Sequence, residues 1–353
     1  MREAQLAVVA GDGIGPELME AALQVFGKAV KRQNLSCTFT KLLAGGAALE
    51  AYGEPLPEAT IKAAQGANAV LLGAVGDPKW DSVEPEKRPE KAILGLRKAL
   101  GLYANLRPVE AAFSDEEASP LKKERLEGTD LIIVRELGGG IYYGERQEGD
   151  EFASDVEAYS VQEVNRILQL AAQIASRRRK KVTSVDKANV LATSRLWRKA
   201  ANAVSEEYKD MQWEHMYVDN CAMQLVTNPS RFDVIVTSNL FGDILSDEAA
   251  VLTGSIGMMP SASLGAGPSL FEPIHGSAPD IAGQGVANPV GMILSAAFCA
   301  EMALEAPGVG GAIRDAVRRV WLQGYRTADT YRLGYTKVST QELANRIEAE
   351  LEG

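Results

Sequence analysis

Short apolar runs alternate with longer segments of helical periodicity along this chain. The N-terminal part predicts a strand at 6–10, a helix at 17–31, a strand at 38–43, a helix at 57–65 and a strand at 69–72. Further apolar runs predict strands at 131–134, 181–185, 216–218 and 234–237. This alternation predicts an α/β fold with helices on both faces of a sheet, whose chemistry lies at the carboxyl ends of the strands.

The most apolar later stretch, 290–300, is too short to cross a bilayer, which takes about 20 residues, and it predicts a buried helix. The first ten residues contain no apolar signal-peptide core, so we expect a mature start. The three cysteines, Cys37, Cys221 and Cys299, show no metal-ligand spacing and favour a reducing, cytoplasmic location.

Composition and charge exclude some broad classes. The 353 residues carry 47 acidic and 37 basic side chains, a formal charge of −10, which opposes general binding to nucleic acid or to an anionic membrane. The length favours two or three domains. The basic run at 177–181 has no interleaved aromatic residue and is interpreted as a solvated helix end.

A glycine-rich turn follows the first predicted strand, with the sequence G-D-G-I-G-P at 11–16. It does not match the dinucleotide fingerprint G-x-G-x-x-G, because Pro16 stands where the third glycine is needed. Two interpretations remain open at this stage. The segment is either a tight strand-to-helix turn or a backbone loop that lines a cofactor.

Two aspartates lie four residues apart just after a predicted strand. On a helix, Asp243 and Asp247 would share one face, and Asp219, at the end of the strand predicted at 216–218, could be a third ligand. Carboxylates without His or Cys suit Mg²⁺ or Mn²⁺ rather than zinc. The alternative is one helix-capping aspartate and one solvated aspartate.

Three arginines lie in apolar surroundings, namely Arg97, Arg107 and Arg135. A guanidinium group binds a substrate carboxylate well through two hydrogen bonds, although an internal ion pair is the alternative. Tyr142 in a glycine-rich segment and Lys187 at the end of a strand are candidate proton donors or acceptors. Taken alone, each of these two side chains fits a structural role better.

The second histidine opens a segment rich in small residues. His275 begins H-G-S-A-P-D-I-A-G at 275–283, which offers backbone groups to a flat ligand, and Asp280 could accept hydrogen bonds from a diol. We interpret this segment as a ligand-binding loop. His215 lies in a mixed strand and is interpreted as a packing residue.

Seven ordered motifs together resemble one family over essentially the whole chain, the β-decarboxylating dehydrogenases of 2-hydroxy acids. They are G-D-G-I-G-P-E at 11–17, N-L-R-P at 105–108, V-R-E-L at 134–137, G-G-I-Y at 139–142, V-D-K-A-N-V at 185–190, F-G-D-I-L-S-D at 241–247 and H-G-S-A-P-D-I-A-G at 275–283. The resemblance implies the isocitrate/isopropylmalate dehydrogenase-like α/β fold, distinct from the usual Rossmann fold. It also implies a first domain of 1–102 plus 255–353, a second of 103–254, and an active site in the cleft between them.

The same resemblance implies NAD-dependent oxidative decarboxylation, with Mg²⁺ or Mn²⁺. The expected substrate is 3-isopropylmalate, of leucine biosynthesis, rather than isocitrate, homoisocitrate or tartrate. It implies a homodimer in which Lys187 and Asp219 reach the partner's site. No nucleic acid and no membrane partner are expected.

The resemblance also implies a role for each matching residue. Lys187 would be the base for the oxidation and Tyr142 the acid that protonates the enol. The metal ligands would be Asp219, Asp243 and Asp247. Substrate would contact Glu90, Ile93, Leu94, Arg97, Arg107, Arg135, Val190 and Asp219. The cofactor would contact Ile14, Glu272, His275, Gly276, Ser277, Ala278, Asp280, Ile281 and Asn288. The family usually carries Leu at the position of Ile93, so the pocket shape differs there.

Two other classes of function share part of this residue set. A Mg²⁺-dependent phosphatase or hydrolase would need the acidic cluster but not the His275 loop. A carboxylate-binding protein without catalysis would need the arginines but neither Lys187 nor Tyr142.

Overall fold

The computed structural model describes residues 3–110, 119–252 and 254–352, and the chain separates into two compact units. The first unit is Met1–Leu102 together with Gly254–Gly353, and the second is Tyr103–Thr253. Both ends of the chain therefore belong to one unit, and the middle of the chain forms the other.

The secondary structure alternates between strands and helices in both units. The N-terminal elements are β1 (Glu3–Gly11), α1 (Gly15–Arg32), β2 (Ser36–Leu42), α2 (Gly46–Tyr52), α3 (Glu58–Gly66), β3 (Ala69–Ala74) and α4 (Glu90–Ala99). The middle elements are β4 (Leu102–Glu110), α5 (Lys123–Leu126), β5 (Asp130–Glu136), β6 (Arg146–Gln147), β7 (Ser154–Asp155), α6 (Val161–Ser176), β8 (Lys181–Asp186), α7 (Ala192–Glu207), β9 (Gln212–Tyr217), α8 (Val218–Thr227), β10 (Val234–Thr237) and α9 (Asn239–Val251). The C-terminal elements are β11 (Pro260–Gly265), β12 (Ser269–Pro273), α10 (Val290–Met302), α11 (Pro307–Leu322), β13 (Tyr325–Arg326), β14 (Thr336–Lys337) and α12 (Thr340–Glu350).

The first unit contains a mainly parallel sheet with the strand order β2-β1-β3-β12-β11. Only the pair β11–β12 is antiparallel among these neighbours. Helix α10 is buried over most of its surface and packs against α1, α11 and the strands β11 and β12, which confirms the buried helix predicted at 290–300. Among the described residues, no helix has both the length and the hydrophobicity that crossing a membrane requires.

The second unit has the strand order β4-β5-β10-β8-β9, in which only β4–β5 is antiparallel. Helices α6 and α7 pack together, and Ser160 and Glu163 form a capping box at the start of α6. Strands β5, β8 and β10 are almost fully buried. The α/β fold class predicted from the alternation is thus confirmed.

The strand predicted at 216–218 is wrong in its bounds. It spans Gln212–Tyr217, and Val218 already begins α8, so Asp219 lies in the first turn of a helix rather than at a strand end. Strand β9 is an edge strand of its sheet, and polar side chains along it hide the apolar pattern. Strands β4, β11 and β12 were not predicted, because they bury polar residues such as Asn105, Ser261 and Ser263.

Candidate active site

Two carboxylates and an arginine meet in the second unit. Asp243 and Asp247 both lie on α9, where their spacing of four residues places them on one face as predicted. The guanidinium group of Arg107, on β4, reaches both of them, with Nη1 at 2.9 Å from Asp247 Oδ1 and Nη2 at 3.6 Å from Asp243 Oδ1. The side chain of Arg107 is 9% exposed, so its charge acts in a poorly solvated place.

Two polar neighbours fix the orientation of Arg107. Its Nε donates to Asn105 Oδ1 at 2.8 Å, and its Nη1 donates to Ser246 Oγ at 2.6 Å. Ser246 lies on α9 beside Asp247, and both of these neighbours are fully buried. Sequence analysis missed Asn105 and Ser246 as site residues, although each stands inside one of the quoted motifs.

A second arginine and a tyrosine converge on Asp243. Arg135, at the end of β5, forms a short ion pair from Nη1 to Asp243 Oδ1. The phenol of Tyr142, in the 3₁₀ turn Gly140–Tyr142, donates to Asp243 Oδ2 at 2.5 Å. Burial raises the pKa of Tyr142, and its hydrogen bond to Asp243 raises that pKa further, so the phenol keeps its proton.

Lys187 and Asp219 form a separate ion pair in the second unit. Lys187 directly follows β8, and its Nζ lies 2.7 Å from Asp219 Oδ1 in the first turn of α8. This hydrogen bond lowers the pKa of Asp219. Val190 donates its backbone N–H to the carbonyl of Lys187, and its side chain is 62% exposed. Within 3–110, 119–252 and 254–352, no three His, Cys, Asp or Glu side chains form a metal-binding group, so one chain does not bring Asp219 to Asp243 and Asp247.

In the first unit, α4 carries four of the predicted substrate residues on one face, with the helical spacing i, i+3, i+4 and i+7. These residues are Glu90, Ile93, Leu94 and Arg97. Arg97 Nη2 lies 2.9 Å from Glu272 Oε1 on β12, with side-chain exposures of 12% and 9%. The buried Nε of Arg97 has no hydrogen-bond partner among the described residues, so this side chain retains binding capacity.

The glycine-rich turn contacts the His275 loop through the backbone. Ile14 donates its N–H to the carbonyl of Ser277 at 2.8 Å, and a Cβ at Gly13 would lie 2.0 Å from that oxygen. At Gly276, by contrast, an added Cβ would meet open space. Burial lowers the pKa of His275, whose buried Nε2 has no partner in the described part of the chain. The turn is therefore tight and also lies against the predicted ligand loop.

Asp12 anchors the loops around this turn, and sequence analysis gave it no role. Its carboxylate is 8% exposed and accepts hydrogen bonds from the backbone N–H groups of Gly46, Ala47 and Gly76 at 2.8, 2.9 and 3.0 Å. A Cβ at Gly76 would lie 2.8 Å from Glu90 Oε1. The acidic residue inside the motif was the available signal, because a buried carboxylate needs several donors.

The remaining predicted cofactor residues lie in or just after the same loop. Asp280 is exposed, and its backbone carbonyl accepts a hydrogen bond from Gln284. Ala278 adopts a positive φ of 39°, and Ile281 is half-buried. Asn288 is buried and donates to Asp329 Oδ2 at 3.0 Å.

The arginines thus have internal carboxylate partners, as the alternative interpretation expected. In the second unit those partners are the candidate metal ligands themselves. The family model described as isocitrate/isopropylmalate dehydrogenase matches residues 5–347. The chain belongs to the isocitrate/isopropylmalate dehydrogenase family. It is therefore an oxidoreductase.

Individual relatives agree with this assignment over the full chain. A 3-isopropylmalate dehydrogenase of Clostridium pasteurianum is 54% identical, covering 98% of this chain and 99% of the relative, and one of Aquifex aeolicus is 49% identical, covering 100% and 98%. The crystal structure of isocitrate dehydrogenase from Methylococcus capsulatus matches with a TM-score of 0.88 at 34% identity, covering 99% of this chain and 100% of that one. A β-decarboxylating dehydrogenase from Thermococcus kodakarensis matches at 0.82 and 37%, covering 99% and 96%. The fold expected from the resemblance is confirmed.

Proposed function

We propose that this chain catalyses the NAD-dependent oxidative decarboxylation of 3-isopropylmalate to 4-methyl-2-oxopentanoate, a step of leucine biosynthesis. The observation that carries the proposal is the convergence of Arg107, Arg135 and Tyr142 on Asp243 and Asp247. The arginines suit the two carboxylates of a 2-hydroxy dicarboxylic acid, and the aspartates suit a divalent cation that binds its hydroxyl group. The printed names of the relatives support the choice of 3-isopropylmalate.

The donor chemistry on α9 fits a hard divalent cation. Asp243 and Asp247 offer carboxylate oxygens from one helix face, and their side chains are 32% and 57% exposed, so an ion can reach them. These ligands suit Mg²⁺ or Mn²⁺. Arg107 and Arg135 offset the repulsion between the two carboxylates and would also hold the substrate carboxylates, together with Arg97.

The turn at 11–16 and the His275 loop fit a dinucleotide. Within the described part of the chain, the space at Gly276 is open and Nε2 of His275 has no partner, which leaves both backbone and side-chain groups for a ligand. We assign Ile14, Glu272, Ser277, Ala278, Asp280, Ile281 and Asn288 to the same role. When bound, NAD⁺ supplies the acceptor for the hydride on C2, and the divalent cation supplies positive charge for the substrate oxygens.

The side chains of this protein move the protons. Lys187 takes the proton of the C2 hydroxyl during oxidation, and the 3-carboxylate then leaves as CO₂. Tyr142, whose raised pKa keeps it protonated, gives a proton to the carbon that carried the lost carboxylate. Glu90, Ile93 and Leu94 border the substrate and the nicotinamide, and Val190 completes the isopropyl pocket.

We also propose a homodimer in which Lys187 and Asp219 act in the partner's site. Helices α8 and α9 pack against each other, and each exposes two apolar side chains that a second copy would cover. They are Met223, Val226, Ile244 and Val251, each between 43% and 58% exposed. Asp219, which pairs with Lys187, lies in the first turn of the same helix α8.

Mixed dimers test the exchange of Lys187. The variants Lys187→Ala and Asp243→Asn are each expected to be inactive alone. Co-unfolded and refolded together, they should regain about a quarter of wild-type activity, since half of the dimers would then hold one intact site. Absence of recovery, with mixed dimers demonstrated by mass, would contradict action across the interface.

Product analysis tests the proposed reaction. With 3-isopropylmalate, NAD⁺ and Mn²⁺, we expect NADH, CO₂ and 4-methyl-2-oxopentanoate in equal amounts. Phosphate release from phosphate esters without NADH formation would instead favour the hydrolase. Tight binding of malate derivatives without turnover would favour a carboxylate-binding protein.

A further inference from the structure

Asn239 is a buried side chain next to the charged cluster that has no role in the proposed chemistry. It is the first residue of α9, directly after the buried strand β10 and Ser238, and it is 1% exposed. A buried amide is costly unless its donors and acceptor are satisfied. Its partners therefore indicate what the side chain does.

The amide joins two parts of the site. Its Oδ1 accepts from Arg135 Nε at 2.8 Å, and its Nδ2 donates to the carbonyls of Gly139 at 2.9 Å and Leu137 at 3.4 Å. These partners fix the orientation of the amide, because the flipped form would place the NH₂ group against a guanidinium group. The same side chain thus holds Arg135 through its oxygen and the glycine segment, residues 138–140, through its NH₂ group.

The glycine segment leads directly into Tyr142 and is also held from other directions. The carboxylate of Glu136, which is fully buried, accepts from the N–H groups of Gly138 and Gly139 at 2.9 Å each. Tyr159 accepts the backbone N–H of Asn239 at 2.9 Å, and its Oη would lie 2.3 Å from a Cβ at Gly140. The backbone that carries Tyr142 therefore has little freedom.

We propose that Asn239 is a positioning residue that holds the guanidinium group of Arg135 and the Tyr142 turn in register with Asp243. The inference rests on the proposed function, which assigns substrate binding to Arg135 and proton transfer to Tyr142. Arg135 and Tyr142 both contact Asp243, so a change in the orientation of either group alters the geometry around that carboxylate. None of the hydrogen bonds of the Asn239 side chain involves the reacting atoms, so the residue acts through its neighbours.

The first test uses binding alone and a matched control. Asn239→Ala is compared with Thr183→Val, which removes the side-chain hydrogen bond of another fully buried residue of the same unit, from Thr183 on β8 to the partly exposed Glu214 on β9. Calorimetric titration with malate and Mn²⁺ should show at least about tenfold weaker binding for Asn239→Ala and less than about twofold change for Thr183→Val. Equal effects of both variants would overturn the proposal.

A double-mutant cycle distinguishes positioning from general stability. In an Arg135→Gln background, Asn239→Ala should weaken malate binding by less than about twofold, because the group it orients is gone. A loss as large as in the wild-type background would show that Asn239 acts independently of Arg135 and would overturn the proposal. This cycle needs no turnover, so it remains decisive if the proposed reaction fails.

The contact between Asn239 and the backbone that carries Tyr142 is tested with an isosteric variant, which keeps the volume of the site. Asn239→Asp cannot donate to the carbonyl of Gly139, so the Tyr142 turn should loosen. At saturating β-keto acid, decarboxylation should slow at least about tenfold with Tyr142 present and less than about twofold in a Tyr142→Phe background. Equal slowing in both backgrounds would overturn this arm of the proposal.

Discussion

The two units build their sites from different materials. In the second unit, the site consists of charged and polar side chains that contact one another, centred on Asp243 with Arg107, Arg135 and Tyr142. In the first unit, the predicted cofactor region is mostly backbone, where the turn around Gly13 lies against the carbonyl of Ser277.

This difference determines which kind of substitution impairs each site. A side-chain site loses its chemistry when one oxygen becomes an NH₂ group, even though no atom moves. A backbone site tolerates most such exchanges but not an added carbon where two segments touch. The side chains of His275 and Asp280 are exceptions in the first unit, and we propose that the exposed Asp280 selects the cofactor.

The largest effect is expected from Asp243→Asn. The change removes the charge that pairs with Arg135 and that the proposed cation needs, while it keeps the volume. Activity should fall by about 10³-fold, or about 4 kcal/mol of transition-state stabilisation, in steady-state assays over a range of Mn²⁺. Asp210→Asn, which removes an exposed ion pair with Lys180, is the control and should retain wild-type activity. Full activity of Asp243→Asn in excess chelator would contradict the metal assignment.

Cofactor choice tests the proposed role of one exposed side chain in the first unit. A carboxylate at Asp280 can accept from both ribose hydroxyls of NAD but would repel a 2′-phosphate, and Ile281 offers no positive charge. We expect kcat/KM to favour NAD⁺ over NADP⁺ by about 10²-fold, as two charges facing one carboxylate imply. Asp280→Lys with Ile281→Tyr should erode or reverse the preference. Equal efficiencies of the wild type with both cofactors would mean that Asp280 does not contact the ribose.

A pair of glycine variants tests the backbone site. Gly13→Ala adds a carbon 2.0 Å from the Ser277 carbonyl at a φ of +57°, so the free energy of unfolding should fall by about 1–3 kcal/mol and the KM for NAD⁺ should rise. Gly27→Ala, inside α1 where no described residue lies within 4 Å of the added carbon, should instead stabilise the protein by about 0.5–1 kcal/mol. Denaturant unfolding and NAD⁺ kinetics on both variants provide the measurement. An unchanged KM for Gly13→Ala would remove the turn from the cofactor site.

The smallest effect concerns pH. Burial lowers the pKa of both His215 and His275 below the ordinary 6.5, so the unfolded chain binds more protons than the folded one in this range. The stability that both groups contribute is present above about pH 6.5 and is lost as the pH falls through the lowered values. Thermal melting between pH 7.5 and 5 should show this fall, and His215→Asn should reduce it. An identical pH dependence in that variant would exclude His215 as a contributor.

The periodicity of the chain predicts most of the central strands and the buried helix α10, because these elements bury apolar side chains without interruption. It misplaces β9, where the polar residues Gln212, Glu214 and His215 interrupt the apolar residues of an edge strand. It also misses β11, because the buried serines, with the proline and glycine of that strand, form a pattern that is typical of loops. Polar residues in strands conceal the period on which such predictions depend.

The charged members of the site are visible in the sequence, because Asp243 and Asp247 have helical spacing after a strand and Arg135 lies among apolar residues. Asp243, Asp247 and Arg135 stood out in this way and do contact one another or share Arg107. The neutral groups that orient them, above all Asn239, are not visible. Their importance depends on which backbone groups lie within hydrogen-bond distance in the folded chain, and the sequence alone does not give those distances.

Substrate discrimination tests the assignment most directly. Isocitrate would place a third carboxylate against the apolar Ile93, Leu94 and Val190, at a cost of several kcal/mol, whereas the isopropyl group gains about 0.8 kcal/mol per buried carbon. Measured side by side with NAD⁺ and Mn²⁺, kcat/KM should favour 3-isopropylmalate over isocitrate by about 10²-fold or more. Comparable values for the two acids would contradict the proposed substrate and leave only membership of the family.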